Sequence, residues 1–281
     1  MTKRVVVKTS ICIAAHNEER NIGRLLTKLV HEALLDEIVV VASGCTDKTV
    51  EIAQSFSPRV KILIQLEREG KASAINLFLS QCDADIVILE SADTLPGHRC
   101  FEYLLSHFDD ETVGMAGAHP IPTNSVKTLM GRISHLIWKS HHQLALRTPK
   151  AGEVVAFRHL TGLLLDSKTS VDEAYIEREI TKNAFRVVYE PKAVIFNRGP
   201  ETLNDFVKQR KRIYGGHKVL KQVGYEVPTM NTVNVLKTTL KVTHNPITLL
   251  VGAVLELYCR LTAPSEQQTV WQISTSTKVL R

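Results

Sequence analysis

The sequence predicts an α/β fold in which helices flank a mostly parallel sheet, followed by a helical C-terminal extension. Segments typical of strands alternate with segments of helical periodicity from Thr9 to Ala118, as expected when right-handed crossovers join parallel strands. The apolar run 86–89 has the composition of a strand buried on both faces. Polar residues follow several of these strands, at the edge where α/β sheets bind ligands.

Five strands are predicted in this first part of the chain, because each segment is short, apolar and β-prone. They cover residues 9–14, 37–42, 60–64, 86–91 and 113–118. Helices are predicted between them, and Asn17 is expected to cap the first. Four polar residues come just after strand ends and are expected to share one cleft, namely Asn17, Asp47, Lys71 and Asp93.

The pattern changes near residue 120. Helices are predicted over 126–146 and 201–222, strands over 153–157 and 186–190, and an acidic stretch lies at 171–179. His141 and His142 are adjacent on the first of these helices and therefore point to different faces. Core packing or acceptor contact is favoured for them over a shared metal ion.

The C-terminal region contains an amphipathic helix with two lysines over 233–241 and an uncharged run over 242–255. The fourteen residues of that run are too few to span a bilayer comfortably, so a buried or interfacial helix is expected. Lys237, Lys241 and Arg260 flank it and suit an anionic membrane surface. A C-terminal helix packed on the domain is the alternative.

The composition is that of a globular protein of 281 residues, with 44% hydrophobic and 23% charged residues. A net charge of +6 and a pI near 9.0 favour polyanionic partners. The basic residues are scattered, which argues against nucleic acid. Five cysteines without a CxxC pair indicate free thiols in a reducing compartment. The N-terminus lacks the apolar run of a signal peptide, so a cytoplasmic location is expected.

Four motifs occur in the order and spacing of one known family. They are residues 13–19, 43–49, 70–76 and 92–96. With these motifs the chain resembles the family 2 glycosyltransferases, and the resemblance continues through 152–158, 172–173 and 199–212. It covers about residues 8–216. The resemblance implies the GT-A fold and an enzyme that moves a sugar from a nucleotide diphosphate donor with inversion.

The resemblance also implies which residues hold the donor. They would be Ala15, Glu18, Ser43, Asp47, Lys71, Ser91, Gln209 and Arg212. The motifs 13–19 and 43–49 would hold the base and ribose, and Lys71 would reach the donor phosphates as a point charge. Asp93 would bind Mn²⁺ or Mg²⁺ across the diphosphate, since such a cation needs only one or two protein carboxylates beside phosphate oxygens.

The acceptor side needs a carboxylate that takes the proton of the acceptor hydroxyl. By resemblance this is the second acid of the pair Asp172 and Glu173, so Glu173 is the predicted base and Asp172 the alternative. Glu177 and Glu179 are near enough in sequence to leave open which of these acids correspond to the acid pair of the family. An acidic helix N-terminus, stabilised by the helix dipole, would give the same pattern without catalysis.

The chain departs from the family pattern at its metal motif. The family usually has Asp-x-Asp, whereas this chain has Ser91 two places before Asp93, and Glu90 one place early. Side chains alternate along a strand, so Glu90 cannot replace Ser91 without a bulge, and weaker metal binding is expected. Ile213 stands where a tryptophan often follows the Gln-x-x-Arg motif, which argues against a processive synthase.

These expectations divide the chain into a nucleotide-sugar half (1–118), an acceptor half (119–222) and a helical tail (223–281) that is a candidate for peripheral membrane contact. The expected acceptor is a glycan or a lipid-linked molecule. Two other classes stay open. A nucleotidyltransferase would need a glycine-rich, Arg-containing loop where this chain has residues 14–17. A non-catalytic nucleotide-sugar or glycan-binding relative would fit Ser91 in place of an acid.

Overall fold

The structure is a computed structural model that describes residues 7–227, 231–243, 245–264, 270 and 275–277. Its strands are β1 (Thr9–Ala15), β2 (Glu37–Ser43), β3 (Val60–Gln65), β4 (Ile86–Ser91), β5 (Leu95–Pro96), β6 (Val113–Pro122), β7 (Val155–Arg158) and β8 (Arg186–Asn197). Its helices are α1 (Ile22–Leu29), α2 (Thr49–Gln54), α3 (Lys71–Leu79), α4 (Cys100–Leu105), α5 (Leu129–Ala145), α6 (Asp172–Lys182), α7 (Leu203–Gln222), α8 (Thr232–Val242) and α9 (Pro246–Thr262). Residues 1–6, for which no signal peptide is expected, and several residues of the tail lie outside the described residues.

The sheet is mixed and mostly parallel, in the order β3-β2-β1-β4-β7-β6-β8-β5. β1 pairs in parallel with both β2 and β4, and β6 pairs in parallel with β8. β7 is antiparallel to both of its neighbours, and β5 is a short antiparallel edge strand. The predicted fold class is therefore confirmed, together with the helices that follow the sheet.

Alternate residues of the central strands enter two different hydrophobic cores, one on each face of the sheet. In β4, Ile86 and Ile88 belong to one core, and Val87 and Leu89 to the other. All four are no more than 2% exposed. β4 is therefore buried on both faces, as its uninterrupted apolar run predicts. This burial fixes the position of the carboxyl end of the strand, where the polar residues begin.

The helices of the second half share a third core beside the sheet. Ile133 of α5, Phe206 of α7 and Cys259 of α9 are at most 1% exposed within it. Ala174 of α6 also belongs to it. The acidic stretch 171–179 is therefore held against α7 as the start of a helix. Cys259, like the other four cysteines, forms no disulfide.

The prediction that Asn17 caps the first helix is wrong. Helix α1 begins at Ile22, and Asn17 lies in the left-handed region with a φ of 53°. Its side-chain oxygen accepts a hydrogen bond from the Thr46 backbone N–H at 2.8 Å. Asparagine tolerates this conformation better than most residues. Here it joins the loop after β1 to the loop after β2.

The tail also differs from its prediction, because the uncharged run 242–255 is not one helix. α8 ends at Val242, and α9 begins at Pro246 behind the cap residue Asn245. Asn245 Oδ1 accepts from the Thr248 N–H at 2.9 Å, and proline suits the first helical position because it lacks an N–H. α8 packs on α5, and α9 packs on α5 and α7. No helix in the described ranges is long and apolar enough to cross a membrane.

Candidate active site

A cleft of about 560 Å³ lies at the carboxyl ends of β1, β2 and β4 and continues between α5, α7 and the C-terminal helices. The predicted site residues that line it are Ala15, Glu18, Ser43, Lys71, Ser91, Asp93, Asp172, Glu173, Gln209 and Arg212. The fold therefore brings residues from distant motifs to one cavity. Asp47 is not among the described residues that line it.

Asp47 instead links the loops that follow β1 and β2. Its Oδ2 accepts from the Glu19 backbone N–H at 3.1 Å, and its Oδ1 accepts from the Thr49 N–H at 3.0 Å and hydroxyl at 2.5 Å. Partial burial opposes ionisation, but these hydrogen bonds prevail and hold the pKa of Asp47 below its ordinary value. A direct contact of Asp47 with the donor stays a prediction.

Glu18 and Ser43 build the wall predicted to hold the base of the nucleotide. Glu18 is 5% exposed, its backbone N–H donates to Thr49 Oγ1 at 2.7 Å, and its carboxylate accepts from the Asn21 side chain at 2.9 Å. The Ser43 carbonyl oxygen lies 2.7 Å from His16 Nδ1. These hydrogen bonds connect the β1 and β2 loops into one wall.

A tight turn after β4 places Asp93 in the cleft. The Thr94 N–H donates to the Ser91 carbonyl at 3.1 Å, and the Thr94 hydroxyl reaches the same oxygen at 2.8 Å and also contacts Glu90. β4 pairs with β1 in continuous register, so Glu90 does not replace Ser91, as the alternation of side chains predicts. Ser91 and Asp93 line the cleft, whereas Glu90 is 2% exposed.

Glu90 is a buried acid whose negative charge is unfavourable. Burial raises its pKa to about 8, and the Glu153 and Asp93 carboxylates act in the same direction, against the hydrogen bond from Thr94. The ordinary value is 4.5. At a pH between these two pKa values, Glu90 is protonated in the folded state and ionised in the unfolded state. The free energy of unfolding therefore falls as the pH rises from about 4.5 to about 8.

Replacing Glu90 by glutamine, which does not ionise, is expected to remove this loss. The variant should gain stability relative to the wild-type protein as the pH rises, by up to about 4 kcal/mol near pH 8. Melting temperatures of metal-free protein between about pH 5 and about pH 8 test the difference. Glu51→Gln, at an exposed position of α2, is the matched control. A difference between Glu90→Gln and wild type that is constant with pH would contradict the expectation.

Glu153 is a cleft residue that the motifs did not identify as part of the site. It lines the cleft, and Asn197 Nδ2 donates to its Oε1 at 3.0 Å. Its φ of 62° is uncommon for glutamate and strains the loop before β7. Removal from water raises its pKa to about 7, and the Asp93 and Glu173 carboxylates add to this. The one signal in the sequence was its place in the motif 152–158.

The acids around Asp93 fit a hard divalent cation. Asp93 raises the pKa of both Glu153 and Glu90, beyond the larger effect of burial, so negative charge is concentrated there. Glu90 Oε2 is buried and lacks a hydrogen-bond partner among the described residues. Across the described ranges, no three His, Cys, Asp or Glu side chains form a complete metal site. One or two carboxylates are what Mn²⁺ or Mg²⁺ needs when phosphate oxygens and water complete its coordination.

Lys71 connects the two sides of the cleft. It is the first residue of α3, and its Nζ lies 2.8 Å from Glu173 Oε1 and 3.4 Å from Asp172 Oδ2 at the start of α6. Burial raises the pKa of Asp172 to about 6. Burial acts on Glu173 in the same way, but the Lys71 ammonium outweighs it and holds the pKa of Glu173 below its ordinary value. Glu173 is therefore ionised at neutral pH and able to accept a proton.

The two other candidate acids of this region are engaged elsewhere. Glu177 is 3% exposed and accepts from the Ala151 N–H at 3.1 Å and the Tyr225 hydroxyl at 2.5 Å. Glu179 pairs with Lys182 at 3.2 Å. Neither Glu177 nor Glu179 is among the described residues that line the cleft. This supports the register in which the first two residues of α6 are the acid pair.

Gln209 and Arg212 lie one turn apart on α7, and both line the cleft. The helix begins behind Thr202, whose hydroxyl accepts from the Asp205 N–H at 3.1 Å. Arg212 is close enough to Asp172 for the two charges to interact. Gln209 and Arg212 thus share the face of α7 that lines the cleft, as their spacing predicts, and Arg212 lies on the side of the acid pair.

The adjacent histidines of α5 have different surroundings. His142 stacks on His119 with ring centroids 4.0 Å apart, and its Nδ1 lies 2.8 Å from the Tyr189 hydroxyl oxygen. His141 is 8% exposed and lines the cleft. No metal-binding group among the described residues includes them. The expectation that they point to different faces is met.

Comparisons with known proteins identify the family. The model of glycosyl transferase family 2 matches residues 10–168, which is more than half of the chain. The protein therefore belongs to glycosyl transferase family 2, as its motifs predict.

The curated relatives are longer than this chain. The chain is 27% identical over 224 residues to poly-beta-1,6-N-acetyl-D-glucosamine synthase of Staphylococcus aureus (strain COL), covering 74% of this chain and 54% of the synthase. It is 24% identical over 232 residues to the probable glycosyltransferase YdaM of Bacillus subtilis (strain 168), covering 75% and 55%. The chain thus spans about half the length of these relatives.

Solved structures of glycosyltransferases share the fold. The mannosyltransferase PcManGT of Pyrobaculum calidifontis, in complex with GDP-Man and Mn²⁺, aligns with a TM-score of 0.62 at 20% identity, covering 93% of this chain and 77% of that one. Glucosyl-3-phosphoglycerate synthase of Mycobacterium tuberculosis, in complex with Mn²⁺, UDP and phosphoglyceric acid, aligns with a TM-score of 0.56 at 17% identity, covering 79% and 80%. At these identities the likeness establishes the GT-A fold.

Proposed function

We propose that the cleft transfers a sugar from a UDP- or GDP-sugar to an acceptor hydroxyl or a lipid-linked acceptor, with inversion at the anomeric carbon. One observation carries the proposal. Lys71, on the donor side, lies 2.8 Å from Glu173 on the acceptor side, in a cleft that also contains Asp93. A cation for the diphosphate, a carboxylate for the metal and a carboxylate base therefore line one cavity.

Glu173 acts as the general base. Its carboxylate takes the proton of the acceptor hydroxyl while that oxygen bonds to the anomeric carbon, and the bond from this carbon to the diphosphate oxygen breaks. The electron pair leaves with the nucleoside diphosphate, and the single displacement inverts the configuration. Asp172 is 3% exposed and positions Lys71 from the other side.

The donor side holds the leaving group. Lys71 contributes a point charge to the diphosphate, and Arg212 contributes a planar fork that suits phosphate oxygens. Asp93, with Glu153 beside it, would hold a Mn²⁺ or Mg²⁺ ion, which would supply positive charge for the departing diphosphate. The other residues of the proposed nucleotide site are Ala15, Glu18, Ser43, Ser91 and Gln209, with Asp47 supporting the loops behind them.

Thermal-shift measurements with UDP, GDP, CMP and dTDP, each with and without Mn²⁺, test the donor site. We expect stabilisation by one nucleoside diphosphate that depends on Mn²⁺, because a ligand that binds only the folded state raises the melting temperature. No stabilisation by any nucleotide would contradict the proposal. Donor binding without turnover on any acceptor would favour a non-catalytic relative, and release of pyrophosphate would indicate a nucleotidyltransferase.

The C-terminal helices carry an apolar face that we propose rests on an anionic membrane, at its cytoplasmic side. Five side chains of α9 recur every three or four residues and are 57–73% exposed, namely Ile247, Leu250, Val254, Leu257 and Leu261. Glu256, the one acidic residue of α8 and α9, pairs with Arg210 at 2.8 Å. Exposed Lys237 and Lys241 leave the surroundings cationic. An apolar stripe beside cationic side chains is typical of an interfacial helix.

The double substitution Leu250→Asp with Leu261→Asp is expected to weaken binding to liposomes that contain anionic lipid by at least about tenfold, since two inserted leucines are lost. Flotation assays measure the bound fraction. Leu164→Asp, at a leucine 68% exposed outside these helices, is the matched control. Equal flotation of the wild-type protein and the double variant would contradict membrane contact through α9.

A further inference from the structure

The cleft has an inner compartment beyond Glu173, enclosed by α5, α7, α8 and α9. Its walls are largely apolar, with Ile137 and Trp138 from α5, Leu236 from α8 and Leu257 from α9. Leu236 and Leu257 are more than half exposed, so this side of the compartment adjoins the apolar face of the C-terminal helices. The compartment belongs to the same cavity as the catalytic pair. An acceptor lying in it would therefore share the cavity with Glu173.

Lys150 places a positive charge in this compartment that no acid neutralises directly. It lines the cavity and interacts electrostatically with Glu177 and Glu173. Glu177 already accepts two hydrogen bonds, and Glu173 pairs with Lys71 at 2.8 Å. Within the described part of the chain, Lys150 forms no ion pair of its own. Lys150 is half-buried, and an ammonium group that is partly removed from water without a partner is unfavourable, so an anionic ligand would stabilise it.

His141 is close enough to Lys150 for an electrostatic interaction, and both of its ring nitrogens are unused among the described residues. It is 8% exposed and lines the cavity, and neither Nδ1 nor Nε2 has a hydrogen-bond partner among the described residues. Gly152 packs against it so closely that an added Cβ would lie 3.3 Å from Nε2. Buried polar side chains are rarely left without partners, so these nitrogens mark a place for a polar group of a ligand.

His217 of α7 completes the polar wall. It is 5% exposed, lines the same cavity and is close enough to Lys150 for the two to interact electrostatically. Arg210, another cation that lines the cavity, is held by Glu256 and by the Tyr214 hydroxyl. Lys150, His141 and His217 thus offer a ligand one ammonium and two imidazoles, all able to donate to oxygen.

We propose that the inner compartment binds a phosphoryl group of the acceptor through Lys150, His141 and His217. The inference rests on the proposed sugar transfer and narrows its acceptor to a phosphorylated molecule. The phosphoryl group would lie at these three donors while a hydroxyl of the same acceptor reaches Glu173. The phosphate could belong to a lipid-linked acceptor, whose chain the apolar walls would cover, or to a water-soluble sugar phosphate.

Calorimetry on the full chain tests this subsite. The donor site is first saturated with the stabilising nucleoside diphosphate and Mg²⁺, so that phosphate probes do not bind there. Hexyl phosphate, hexanol and glycerol 3-phosphate are then titrated. We expect hexyl phosphate to bind at least about tenfold more tightly than hexanol. Hexyl phosphate binding more tightly than glycerol 3-phosphate indicates the lipid source, and the reverse order indicates a soluble sugar phosphate.

Substitutions locate the binding. Lys150→Met should weaken hexyl phosphate about 10- to 100-fold, because a hydrogen bond to a charged group is lost, whereas Lys150→Arg should stay within about threefold of wild type. Lys221→Met removes an exposed charge on α7 and is the matched control. Unchanged binding in Lys150→Met, or equal binding of hexyl phosphate and hexanol to wild type, would overturn the proposal. Nucleotide binding in each variant reports separately on folding and on the donor site.

Discussion

Glutamine at position 173 is expected to lower kcat for sugar transfer by about 10²–10⁴, the usual contribution of a general base. Glu173 lies beside Lys71, which keeps it ionised, and glutamine of similar shape does not take a proton. The KM for the donor should change little, because the donor is held mainly by other residues of the cleft. Steady-state kinetics with the donor class found by thermal shift measure both constants.

Two further variants of α6 separate catalysis from structure. Glu179→Gln on the same helix removes an acid that pairs with Lys182 outside the cleft, and it should keep nearly full activity. Asp172→Asn should reduce kcat less than Glu173→Gln, because it removes only a contact of 3.4 Å to Lys71. The reverse order would assign the proton transfer to Asp172. Equal activity of all three variants and wild type would exclude this pair as the base.

Asparagine at position 93 is expected to abolish the part of the nucleotide stabilisation that depends on Mn²⁺ and to lower kcat by about 10²–10³. A divalent cation contributes several kcal/mol to a transition state that develops charge on the diphosphate. Asp93 is the carboxylate that the turn after β4 brings into the cleft. Glu153 and Glu90 are near it and would retain only weak affinity for the cation.

Thermal shifts with and without Mn²⁺ test the Asp93→Asn variant without any need for an acceptor. Asp83→Asn, near the amino end of β4 and 76% exposed at its side chain, is the control. If Mn²⁺ still raises the melting temperature of Asp93→Asn in the presence of the nucleotide, the metal is bound by other residues, and Glu153 is the first candidate.

The fold could be predicted because the hydrophobic pattern that marks a strand lies within that strand's own sequence. β2 and β4 consist almost wholly of apolar residues and are followed by polar residues, and this pattern depends on burial on both faces of the sheet. β8 is longer than predicted, since it continues past Pro191 to Asn197. Its register with β6 shifts between Gly117 and His119, which pair with Tyr189 and Val194 on either side of Pro191, and such an irregularity tolerates a proline. The two-residue strand β5 is too short to show a periodicity.

The candidate site was predictable where a motif fixes a backbone position, and less so where distant elements meet. Ten of the predicted residues line the cleft because they follow strand ends or lie on one helix face. Asp47 differs because hydrogen bonds from Thr49 in its own turn and from Glu19 in the loop after β1 occupy its carboxylate. Glu153 was missed because its role depends on Asp93, which is far away in sequence. Lys150 and His141 line the same cavity only because α5 packs near the loop before β7.

The anomeric configuration of the first-formed product tests the central proposal most directly. Proton NMR follows an α-linked UDP- or GDP-sugar, whichever the thermal shifts select, during slow transfer to water or to a phosphorylated acceptor. A single displacement assisted by Glu173 gives the β-configured product first, at a rate that falls in Glu173→Gln. An α-configured first product, or consumption of the donor at the same rate in that variant, would contradict inverting transfer with Glu173 as the base.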